Sequence, residues 1–136
     1  MNKKIINTLI SLIFILSLLF TACDDTITGD DIDRVEIPDK DVNYAEYIQP
    51  VFNVKCATSG CHDDGTRAGS YSMTSWSNVL QPGVVDPFNV ETSRLVWRIE
   101  GLGVDIMPPI GSVVRPLTLN QFEGIKTWIA EGAKNN

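Results

Sequence analysis

The sequence predicts a small, irregular, all-α domain, and three observations carry that prediction. Apolar residues recur at helical spacing in three short stretches, two of them bounded by cap residues. No run alternates apolar and polar residues strongly enough for a sheet. What lies between the stretches is loop, rich in Gly and Pro. The first helix holds Ile48, Val51 and Phe52, with Pro50 expected to kink the segment or restart it. The second holds Leu95, Val96 and Ile99, with Thr92 or Ser93 as its cap and Gly101 as its stop. In the third, Thr118 and Gln121 form a capping box. Phe122, Ile125, Trp128 and Ile129 make one apolar face there, and Gly132 ends it. A short turn is predicted over residues 75–80.

The domain is expected to span residues 42–136, after two segments of different character. Residues 1–22 read as a signal peptide. Lys3 and Lys4 supply the positive start, and the apolar run over residues 5–20 is short for a membrane span of about 20 residues. Small residues then lead into Cys23, an arrangement that resembles a bacterial lipoprotein signal with lipid on that cysteine. The alternative is an uncleaved signal anchor. Residues 23–41 carry Asp24, Asp25, Asp30, Asp31, Asp33, Glu36, Asp39 and Asp41 against only Arg34 and Lys40, and read as an extended, solvated, flexible acidic tether. Most of the net charge of −6 therefore lies outside the expected domain. No basic patch exists to neutralise phosphates, so nucleic-acid binding is disfavoured.

The chemistry concentrates in Cys56-Ala57-Thr58-Ser59-Gly60-Cys61-His62, where the chain's one histidine directly follows a cysteine. Two thiols and an adjacent imidazole are the groups that attach and ligate a c-type haem. The usual spacing has two residues between the cysteines, and this chain has four. On a continuous helix, positions five apart lie about 140° apart, so the segment must loop out for both sulfurs to face one porphyrin edge. Gly60 can take positive φ at little steric cost. A disulfide between Cys56 and Cys61 is the other reading, since a loop this short can close at disulfide distances. Three cysteines in an exported chain leave one unpaired; lipid on Cys23 accounts for it.

A six-coordinate electron carrier needs a second axial ligand, and with no second histidine the candidates are Met73 and Met107. Met107 precedes Pro108 and Pro109, whose fixed φ stiffens the backbone beside a weak ligand. Met73 reads as packing. Trp76, Trp97 and Trp128 read as core. Arg94, Arg98 and Arg115 read as solvated, with haem propionates as the competing role. Asp63 and Asp64 read as a solvated turn. With His62 on iron, no Ser/His/Asp or Cys/His nucleophile remains.

Ile48-Gln49-Pro50-Val51-Phe52, the residues 56–62 motif, Met107-Pro108-Pro109, Leu117-Thr118 and Trp128-Ile129-Ala130-Glu131-Gly132-Ala133 follow one another as in the planctomycete-type cytochrome c domains. The chain resembles these over nearly all of residues 42–134; the four-residue gap is common among this group's relatives. The resemblance implies a class I-like helical cytochrome c fold with one covalent haem c. Cys56 and Cys61 are then the thioether sites, His62 the proximal ligand and Met107 the distal one. The function expected is a lipid-anchored, monomeric monohaem cytochrome, not an enzyme, passing single electrons between cell-envelope redox proteins. Two alternatives stay open: a haem enzyme or gas sensor with an open sixth position, and a haem-free interaction module stapled by a Cys56–Cys61 disulfide.

Overall fold

The structure is a computed structural model, and it describes residues 27–103 and 105–136 together with Lys3 and Asn7. The expected signal segment and Cys23 lie outside the described residues, Lys3 and Asn7 apart. Among the described residues there is no strand, and no helix is long and apolar enough to cross a membrane.

Among the described residues from Ile27 on, five α-helices follow one another: α1 (Gly29–Ile32), α2 (Gln49–Lys55), α3 (Trp76–Val79), α4 (Arg94–Glu100) and α5 (Leu119–Ala130). A π-helical turn, Tyr44–Ile48, runs directly into α2. Pro50 restarts the helix rather than breaking it, because it stands in the first turn of α2, where a missing N–H removes no internal bond. Ser93 is the N-cap residue of α4 by position, and Gly101 takes φ 71° at its end. The Thr118 hydroxyl accepts from the Gln121 amide, and the Gln121 side chain accepts from the Thr118 amide, completing the α5 capping box. At the other end the Ala133 N–H donates to the Trp128 carbonyl and the Gly132 N–H to that of Ile129. Gly132 sits at φ 100°, which satisfies the last carbonyls in a Schellman motif.

The π-turn packs against both α2 and α5. Tyr44, Phe52 and Trp128 meet at the centre, with ring centroids 5.1 Å apart for Tyr44–Trp128 and 6.3 Å for Phe52–Trp128. Ile48, Val51, Met73, Val79, Ile125 and Ile129 are buried around them. Trp128 is fully buried, so its truncation to Ala should cost on the order of 3–5 kcal/mol. Trp97 is not core: it is 37% exposed, and its indole N–H donates to the Glu91 carbonyl at the surface.

The acidic tether expected over residues 23–41 is corrected for its described part. From Thr28 onward the segment folds onto the domain. Thr28 and Asp31 form a capping box on α1, and Ile32 and Ile37 are buried at 3% and 5% exposure. The Asn120 side-chain amide pairs with both backbone groups of Ile37, at 2.8 and 3.0 Å, and Gln121 donates to the Ile32 carbonyl at 3.0 Å. The Glu131 carboxylate accepts from the amides of Asp41 and Val42. Gly124 leaves the space that Ile37 fills, since a Cβ there would lie 2.5 Å from Ile37 Cγ2. Ile32, Ile37 and Val42 supply the burial that outweighs the solvation of the acids between them. Among the described residues the folded unit therefore includes residues 28–41 as well as those from Val42 on.

Candidate functional site

The segment between Cys56 and His62 does loop out, and backbone bonds hold it closed. The His62 amide donates to the Cys56 carbonyl at 3.0 Å and the Cys61 amide to that of Thr58 at 2.9 Å, with Gly60 at φ 86°. Asp63, read from sequence as a solvated turn, organises this loop. Its carboxylate accepts from the amides of Gly60, Gly65 and Thr66 at 3.0, 2.8 and 2.9 Å. Bonds from Thr66 above all, with Gly65 and Gly60, hold that carboxyl down at about 2. The sequence signal was Asp63 followed by Gly65 and Thr66, an Asx-turn pattern that reads locally rather than as chemistry.

Cys56, Cys61, His62 and Met107 line one cavity of about 140 Å³. Its other walls are mainly apolar, among them Tyr71, Met73, Leu95, Ile99, Pro109 and Leu117. The four residues singled out from the sequence come together from three places: the end of α2, the loop after it, and the Pro-rich loop after α4. Met107 is fixed by its amide, which donates to the Arg98 carbonyl at the end of α4 at 2.6 Å. Met73 is buried at 1% exposure and also lines the cavity, its amide donating to the His62 carbonyl at 2.8 Å. A second cavity of about 180 Å³ adjoins the first, lined by Arg94 and Arg98 along with His62, Tyr71 and Met107. Arg115 is elsewhere, paired with Asp30 and with Asp33.

His62 Nδ1 is buried and has no hydrogen-bond partner in the protein. Buried polar atoms are ordinarily satisfied, so an unpartnered imidazole nitrogen on a residue that lines the cavity is an exception that marks His62 for a group the protein does not supply. The ring is oriented by Tyr71, stacked on it at 4.4 Å between centroids and 25° between planes. Sequence reasoning missed Tyr71, which carries no motif. The two cysteines are both free thiols, and burial, with Cys61 close by, pushes the Cys56 thiol up to about 12. Lys55, also unforeseen, is buried beside the cavity with its ammonium 2.7 Å from the Asp33 carboxylate. Chemically, the arrangement offers two thiols, an imidazole and a thioether on one mainly apolar surface.

No family model, no curated protein and no solved structure matches the chain.

Proposed function

We propose that this chain is a monohaem c-type cytochrome that passes single electrons between redox proteins of a bacterial cell envelope, held to a membrane by lipid on Cys23. The observation that carries the reading is the meeting of Cys56, Cys61, His62 and Met107 on one apolar cavity, where a histidine nitrogen is buried without a protein partner. In this reading Cys56 and Cys61 hold haem c through thioethers, His62 and Met107 ligate its iron, and the group supplies a reversible one-electron couple.

The chain's own residues fit those duties. Burial keeps the Cys56 thiol protonated at neutral pH. Tyr71 fixes the plane of the imidazole, and the Arg98 carbonyl fixes the backbone of Met107. A thioether ligand raises the potential and leaves no open position for substrate, which suits transfer rather than catalysis. Leu95, Ile99, Leu117 and Pro109 give the same volume apolar walls, and polarity around the group also sets potential.

The test is an absorption spectrum of the full chain produced alongside haem-attachment machinery. A sharp low-spin spectrum on reduction, with no carbon monoxide binding at neutral pH, is expected. Fast and complete carbon monoxide binding would move the reading to an open-site enzyme or sensor, and a colourless protein would end the haem reading.

A further inference from the structure

The loop that closes one side of the cavity exposes its largest apolar side chains. Ile110 is 92% exposed and Val113 102%, while Pro109, Ser112 and Val114 between and beside them line the cavity. Isolated exposed aliphatics need no explanation, but two at full exposure within four residues, on the rim of a cavity, do. The position of this loop relative to the chain's beginning supplies one. Gly29 of α1 shares a small cavity with Val113, Val114 and Arg115, and a Cβ added at Gly29 would lie 3.7 Å from the Arg115 guanidinium. Arg115 is paired to Asp30 and Asp33, so α1 is clamped beside the loop. Ile27, two residues before α1, is itself 57% exposed. Ile27 lies four residue steps after Cys23, and a fully extended chain of that length reaches on the order of 14 Å.

We infer that the surface where α1 meets the Ile110–Val113 loop rests on the phospholipid bilayer in which Cys23 is anchored, so that the rim of the cavity lies against the membrane surface. The inference rests on the lipid-anchor part of the proposed function and not on haem. Its physical logic is covalent reach. The acyl group on Cys23 lies in the bilayer, Ile27 cannot stray further from it than the chain allows, and α1 carries the Ile110–Val113 loop with it. Aliphatic side chains at that height gain by entering the interface beside the headgroups. Arg115 is neutralised by its two aspartates, and the sequence after Cys23 is acidic, with Asp24, Asp25, Asp30 and Asp31. The contact is therefore apolar rather than electrostatic, and it should persist at high salt on zwitterionic lipid.

The test uses the full acylated chain on phosphatidylcholine vesicles, compared with the same chain in dilute detergent by hydrogen exchange read by mass spectrometry. Amides of residues 110–114 should exchange at least fivefold more slowly on vesicles, in low and high salt alike. Segments around Phe88, which is 74% exposed, and Leu119, 76% exposed, should not change. An Ile110→Asp/Val113→Asp variant should stay on the vesicles through its acyl group yet lose the protection. An acylated chain whose residues 110–114 exchange equally fast in both settings overturns the inference and leaves the anchor standing. Protection that instead scales with protein concentration in detergent overturns it in favour of a second copy of the chain. An unacylated Cys23 removes both the anchor and the inference.

Discussion

Replacing Asp33 by Ala should cost the domain about 3 kcal/mol, because it strands a buried ammonium. The Lys55 side chain is 1% exposed, and its charge is met by Asp33 at 2.7 Å and by the Pro116 carbonyl at 3.4 Å. At an effective dielectric of about 20, unit charges that close attract by roughly 6 kcal/mol, and stripping water from both offsets much of that. Removing one partner of a buried pair leaves the other uncompensated, at a cost of roughly 3–5 kcal/mol. The lower end applies here, since the Asp33 side chain keeps 20% exposure and water can follow the mutation in. In a domain of this size the loss corresponds to a fall in Tm of roughly 12 °C by calorimetry. The Asp33→Ala/Lys55→Met variant should recover at least half, because an apolar side chain can replace a buried pair at little cost. A pH arm follows from the same contact. Although burial acts to raise it, bonds from Lys55 and Gln121 hold the Asp33 carboxyl below its ordinary value. A depressed carboxyl contributes stability that is complete above its unfolded value of about 3.9 and is lost as pH falls through the folded one. The wild type should therefore lose more stability than Asp33→Ala between neutral pH and pH 3. A Tm shift under about 3 °C, with no recovery in the double variant, would refute both the buried pair and the docking of residues 28–41.

Gly124→Ala should destabilise by about 1–3 kcal/mol in urea unfolding, because its Cβ would meet Ile37 Cγ2 at 2.5 Å. Adding Ile37→Ala should reduce the penalty of that glycine change. Met107→Ala should lower the reduction potential, admit carbon monoxide to the reduced protein and leave haem attached, all read by spectroelectrochemistry. Met73→Ala should leave the ligand set as it was and cost roughly 2–5 kcal/mol of stability, since that side chain is 1% exposed.

The parts of the fold that were legible in the sequence are those specified locally. The Thr118–Gln121 box, the Gly101 and Gly132 stops and the restart at Pro50 depend on residues within a turn of one another, and each appears where its local chemistry puts it. The four candidate site residues were legible for a different reason: thiols, an imidazole and a proline-braced thioether are rare enough to stand out, and the chain brings them to one cavity. The docking of residues 28–41 was not legible. It depends on contacts across more than eighty residues, such as Asn120 to Ile37 and Gln121 to Ile32, while the local composition is acidic and argues for solvation. Tyr71 on His62, and Asp33 on Lys55, escaped notice for the same reason, since neither partner marks the other in sequence. Trp97 was misjudged because aromatic character favours burial in general but does not decide it at one position.

The central claim is covalent haem on Cys56 and Cys61, and one peptide tests it. Trypsin cleaves after Lys55 and Arg67, releasing residues 56–67 with both cysteines and His62 in a single fragment. From the full chain produced with haem-attachment machinery, denatured and extracted with acid–acetone before digestion, that fragment should carry the mass of one haem and absorb in the Soret region. The Cys56→Ala/Cys61→Ala fragment should carry neither. A wild-type fragment without haem, two hydrogens lighter than the dithiol, would mean a disulfide and would contradict the account.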